Sequence, residues 1–85
     1  MVADYVESAC MVVRPEVWGR ARWDGAFPIF YEDCDYCFQA RALGYAVVAT
    51  ADSTIVHHAH TTSVSRQAES ERNRRRFVQK WKEVL

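Results

Sequence analysis

The stretch 30–45 reads FYEDCDYCFQARALGY and sets Glu32, Asp33 and Asp35 within four positions, just ahead of a helical pattern. Carboxylates at a helix start are favoured by the macrodipole and by N–H groups that lack an intrahelical partner, so capping is one reading. The other reading is catalytic. A carboxylate held at the mouth of a pocket can act as a general base and take a proton from a hydroxyl nucleophile within hydrogen-bond reach. Asp35 lies two residues beyond Asp33 and cannot share its direction on a helix, so the two must have different roles.

Two other groups of residues could carry chemistry. His57, His58 and His60 sit in the run VHHAH. On a strand, His58 and His60 share one face and His57 takes the other. Cys34 and Cys37 form a C-x-x-C, and with His58 and His60 they would make a Cys₂His₂ zinc set. On a helix the same cysteines are an i,i+3 pair on the apolar side. A small metal-binding or protein-interaction module using Cys34, Cys37, His58 and His60 is therefore an alternative to catalysis, with the basic C-terminal helix as its docking surface.

The elements that must position these residues follow from hydrophobic period and from breakers. Val6 to Val13 is small and β-branched and reads as a strand, ended by Pro15, which suits the first turn of a short helix over 15–21. Asp24-Gly25 is a turn pair, and Pro28 is a second breaker. A helix over 33–43 puts Tyr36, Cys37, Ala40 and Leu43 on one face, with Gly44 as its C′ residue. YAVVAT and TIVHHAH read as two further short strands. A last helix over roughly 66–84 carries an apolar stripe of Phe77, Val78, Trp81, Val84 and Leu85, and Glu71 and Arg75 form an i,i+4 pair.

The chain has 85 residues and 49% apolar composition, which bounds it to one globular domain with a modest core. Its net charge is zero, but the charge is polarised. Residues 1–65 hold four Arg or Lys against eight Asp or Glu, a net of −4, and residues 66–85 hold seven against three, a net of +4. A basic helix can meet nucleic acid, but without exposed aromatics or a recognisable module that partner is disfavoured. The three cysteines are an odd number, which argues against a disulfide framework and for a reducing compartment. No apolar run approaches a membrane span and no signal peptide is visible, so the expected location is cytoplasmic, with the cytoplasmic face of a membrane as the variant.

Taken in order, these pieces resemble the C-terminal half of the catalytic domain of family 2 inverting glycosyltransferases of the GT-A fold. Those enzymes carry a stretch like G-A-x-M-L-[VI]-R-R-E-x-[FW], then G-G-F-D-E-x-F. An aromatic follows with E-D-x-D-L-C-x-R-x-x-x-x-G-[YW], and then a strand ending V-x-H-x-x-x-x-S. Met11, Val12, Val13 and Arg14 match the first part, and Trp23, Asp24 and Phe27 the second. Tyr31, Glu32, Asp33, Asp35, Cys37, Arg41, Gly44 and Tyr45 match the third. Val56, His57 and Ser63 match the fourth, with one residue of slack. The match spans about residues 6–63, leaving 64–85 as a basic amphipathic helix.

The resemblance implies an α/β chain, or α+β fragment, with a partial GT-A-like sheet of about three short strands, a central helix after the E-D motif and a long C-terminal helix. It makes Asp33 the general base toward the acceptor hydroxyl, with Glu32 in support. It places acceptor contacts at Trp23, Asp24, Asp35 and Arg41, and it gives His57 as a ligand of the divalent metal, manganese or magnesium, on the nucleotide diphosphate. The partners would be a nucleotide-sugar donor and a sugar or glycan acceptor. Ala21-Arg22 replaces the usual Gly-Gly, and Gln39 stands where a charged residue is commoner. No D-x-D precedes residue 30, and a nucleotide-binding βαβ unit has no room. The chain therefore reads as the acceptor-side portion of such an enzyme, inactive alone and with no tightly bound metal. A sheet edge left open would pair copies into a homo-oligomer, most simply a two-fold dimer.

Overall fold

A computed structural model describes residues 1–50, 56 and 67–85. Strand β1 (Val2–Ala3) is followed by a 3-10 turn at Ser8–Cys10, α1 (Pro15–Trp18), α2 (Glu32–Ala42), β2 (Val47–Val48) and α3 (Gln67–Trp81). The chain is a small mixed α/β structure with a two-stranded antiparallel sheet. Among the described residues no helix is long and apolar enough to cross a membrane.

Helix α2 organises the rest. Its end is set by sequence: Gly44 adopts φ +96°, Gly44 N–H donates to Arg41 O at 2.9 Å, and Tyr45 N–H donates to Ala40 O at 3.1 Å. These are the paired bonds of a Schellman C-cap, in which the left-handed residue favours glycine. Two apolar clusters flank the helix. Tyr36 and Ala40 join Val17 and Ala21, with Met11, Val13, Leu43 and Tyr45 packed against them. Phe38 joins Phe27 and Phe77, with Tyr31, Cys34 and Trp81 around them. Cys37 is buried and Leu43 partly buried, as the 36/37/40/43 spacing predicts. The opposite face, through Phe38, is equally buried because α3 packs on it through Phe77 (ring centroids 4.9 Å apart) and Trp81 (5.6 Å).

The sheet differs from the sequence expectation. Val6 to Val13 does not form a strand. The Val6 N–H donates to Cys37 Sγ at 3.5 Å and its carbonyl accepts from that thiol at 3.7 Å, so its backbone is tied to α2 rather than to a ladder. Pairing occurs instead at the N-terminus, where Val2 opposes Val48 and Ala3 opposes Val47. Among the described residues there are two strands of two residues each. The expected strand TIVHHAH lies outside the described residues, apart from Val56.

Helix α3 buries part of the expected stripe, Phe77 and Trp81, and adds Asn73 to it. Asn73, Phe77 and Trp81, spaced i, i+4 and i+8, meet the rest of the chain, while Val78, Val84 and Leu85 stay exposed. Period alone favours the valines and leucine; an asparagine in the inward row breaks the apolar pattern that period detects.

Candidate functional site

The first turn of α2 carries the acidic cluster. The chain enters it through Phe30 (φ 65°) and Tyr31 (φ 67°), two consecutive non-glycine residues in the left-handed region, which costs energy that neighbours must offset. Asn73, 1% exposed on α3, supplies that support. Its Nδ2 donates to Ile29 O at 2.5 Å and to Phe30 O at 3.2 Å. Tyr31 makes no side-chain cap, so the helix start is served by the acidic first turn: Glu32, Asp33 and Asp35.

Glu32 and Asp33 lie on the wall of an open cavity of about 350 Å³, bordered also by Tyr5, Glu7, Tyr31 and Ser70. Asp33 Oδ1 accepts the Cys34 N–H at 2.8 Å, and among the described residues Oδ2 receives a long contact from Ser8 N–H at 3.4 Å, which leaves acceptor capacity toward the cavity. Glu32 Oε2 is buried without a hydrogen-bond partner among the described residues. Burial pushes the Glu32 carboxyl above its ordinary value; its own backbone amide pulls partly back, and the adjacent Asp33 adds to the rise. The two carboxylates thus sit in unlike surroundings, an arrangement that divides acid and base roles between neighbours.

Asp35 has a different fate from the acceptor contact expected of it. It is 1% exposed. Its Oδ1 accepts from Trp81 Nε1 and pairs with Lys80 Nζ, each at 2.8 Å, and its Oδ2 accepts from Gln39 Nε2 at 2.8 Å. A carboxylate so enclosed is out of reach of an outside hydroxyl. Lys80 also reaches Asp24 Oδ2 at 2.8 Å, and Gln39 exchanges hydrogen bonds with the Arg22 backbone. One network therefore ties α2, α3 and the 22–24 loop together. Burial works against the Lys80 charge, but its bonds to Asp24 and Asp35 prevail and hold its pKa above the ordinary value. The Lys80 and Ala26 hydrogen bonds hold the Asp24 carboxyl below its own.

The other expected acceptor residues are spent on similar contacts. Trp23 stacks on Tyr36 with centroids 4.4 Å apart. Arg41 lies over the Phe38 ring at 4.8 Å and reaches Asp4 at 3.8 Å. None of Trp23, Asp24, Asp35 or Arg41 borders the Glu32–Asp33 cavity. The structure keeps the E-D pair together at a cavity and disperses the rest.

For the thiols, burial and then Asp33 push Cys34 up to about 12, and burial raises Cys37 as well. A thiolate ligand set would have to offset both. Among the described residues no group of three or more His, Cys, Asp or Glu is placed to hold a metal ion. His57, His58 and His60 lie outside the described residues.

Sequence reasoning missed Asn73, Lys80 and Gln39, the residues that hold the acidic turn and the buried carboxylate. Gln39 had a signal, standing four residues after Asp35 on the helix. Asn73 had a weaker one, as a polar residue four before Phe77. No family model matches the chain, and neither a curated protein nor a solved structure does.

Proposed function

We propose that the chain is the acceptor-side part of a metal-dependent inverting glycosyltransferase, with Asp33 as the base toward the acceptor hydroxyl. The observation that carries this reading is the seat of Asp33, on the first turn of α2 with Oδ2 largely unengaged at an open cavity beside the burial-shifted Glu32. In the reaction the acceptor oxygen bonds to the anomeric carbon as the bond to the diphosphate breaks. The electron pair leaves with the nucleoside diphosphate, and the hydroxyl proton passes to Asp33. Glu32 accepts a hydrogen bond from a second acceptor hydroxyl, and the rings of Tyr5 and Tyr31 flank the sugar. Manganese or magnesium belongs to the complete enzyme in this reading. The described residues form no ligand set for it, so no step here runs through it. The chain alone holds an acceptor and does not turn over a sugar nucleotide. Two copies pair through the open outer edge of β1, where Met1 and Val2 are 86% and 75% exposed.

The test is a titration of the chain with a panel of simple pyranosides, followed by NMR. Shifts at Tyr5, Tyr31, Glu32 and Asp33 for at least one sugar, lost in Asp33→Ala, are the expected result. A flat response across the panel, with α2 intact, contradicts the reading.

A further inference from the structure

The sequence concentrates positive charge on the last helix, but the structure spends most of that charge within the chain. Arg74 and Arg75 both pair with Glu71, at 2.7 and 3.5 Å. Arg76 donates to Ala26 O at 3.0 Å, and Lys80 is held by Asp24 and Asp35. Unspent guanidinium groups gather instead around α1. Arg14, Arg20 and Arg22 are exposed, and among the described residues none of their side chains makes an ion pair or a hydrogen bond. Glu16 is the one acid between residues 12 and 23, so the stretch keeps a net charge of +2.

The same stretch exposes apolar surface. Val12 is 97% exposed, Trp18 58% and Trp23 44%. Both indoles are seated on one buried ring, that of Tyr36. Trp23 stacks on it with centroids 4.4 Å apart, and Trp18 tilts against it at 6.3 Å. Arg22 lies close enough to that phenol to act against the rise in pKa that burial imposes. The Arg14 carbonyl accepts from the Val17 and Trp18 N–H groups, each at 3.0 Å, which ties Arg14 to the turn that carries Trp18. Indoles and cations are therefore neighbours here, and exposed apolar surface bordered by charge marks an interaction site.

We propose that the surface from Val12 to Trp23 lies against the headgroup layer of an anionic lipid bilayer. Interfacial binding is set by buried apolar area together with attraction to anionic lipids, and this stretch offers both. Indole rings settle at headgroup level, with the ring toward the acyl chains and the N–H toward water. Guanidinium groups hold phosphate oxygens while their stems cover apolar surface. Single-stranded nucleic acid also meets arginine and indole, but it leaves a valine that stands almost wholly in water with nothing to contact. A bilayer takes that side chain as well. None of these residues borders the Glu32–Asp33 cavity, so lipid contact here is independent of the sugar-transfer reading.

The test is sedimentation of the full 85-residue chain with phosphatidylcholine vesicles, with and without phosphatidylserine. The expected result is binding to the serine-containing vesicles that weakens as salt is raised, with brominated acyl chains quenching indole fluorescence. Arg20→Gln combined with Arg22→Gln should weaken binding about fivefold for each charge removed. Trp18→Ala should lower the quenching. These three side chains make no hydrogen bond among the described residues, so the variants should keep the parent's thermal midpoint. Arg72→Gln combined with Lys82→Gln removes the same charge from the exposed face of the last helix and its end, and should leave binding unchanged. Equal loss in that control pair overturns the proposal, because the attraction would then belong to the helix or to overall charge. Equal binding to vesicles without phosphatidylserine overturns it, as does no binding to either. Arginine- and tryptophan-dependent binding of a single-stranded oligonucleotide, without vesicle binding, gives the surface to nucleic acid and overturns it too.

Discussion

Asn73→Ala tests how the acidic turn is held. The variant removes donors to two carbonyls, Ile29 O and Phe30 O, that brace consecutive left-handed residues at the entry to α2. Each neutral hydrogen bond contributes about 0.5–1.5 kcal/mol net, so losing both costs about 1–3 kcal/mol. A chain of 85 residues has roughly 4–13 kcal/mol in all, at about 0.05–0.15 kcal/mol per residue. The loss is therefore a large fraction. With a urea slope of about 1 kcal/mol per molar, the midpoint should fall by about 2 M. Asn73→Asp sharpens the test, because it keeps the shape, replaces donors by acceptors facing two carbonyl oxygens, and buries a charge. It should be less stable than the alanine variant at pH 7, and amide exchange at Glu32 and Asp33 should quicken in both. If the aspartate variant is as stable as wild type, the donor role is wrong and the turn is held by packing of Tyr31 on Phe77 alone.

Other outcomes follow from the same contacts. Glu32 has a folded pKa above its ordinary 4.5, so its ionisation opposes folding: stability is full below 4.5 and falls as pH rises through the folded value. Glu32→Gln mimics the protonated group, so its thermal midpoint should match wild type near pH 4 and exceed it at pH 7. Lys80→Met strips the buried Asp35 of its cation and should cost about 3–5 kcal/mol in urea unfolding at pH 7. Because the Lys80 pKa is raised above 10.5, the pair's contribution is full below that value and lost as pH rises through the folded one, where the two unfolding curves should converge. Gly44→Ala meets no heavy atom within 4 Å, so its cost is the strain of φ +96° alone, about 1 kcal/mol by thermal melt.

Helix α2 was legible because its signals are local: acids at the start, an apolar row through Tyr36 and Ala40, and a glycine at the cap. Its second buried row was not, since Phe38 faces inward only once α3 is in place. The strand assigned to Val6–Val13 followed β-branched content, but Cys37, 31 residues away, takes the Val6 backbone, and no propensity scale registers that contact. Asp35 looked like one more first-turn acid. Its burial depends on Lys80 and Trp81, 45 and 46 positions downstream, which nothing around residue 35 announces. The pair Glu32–Asp33 was picked out by type and spacing, and the unlike surroundings of its two members came only from the packed structure.

If the chain is the acceptor side of a glycosyltransferase as proposed, the most direct measurement is turnover by the complete enzyme, comparing Asp33→Asn with the parent. The account predicts a loss in kcat on the order of 10²–10⁴, with donor binding unchanged and a smaller loss for Glu32→Gln. An unchanged kcat in Asp33→Asn, or a loss traced entirely to weaker donor binding, would contradict the assignment of Asp33 as the base.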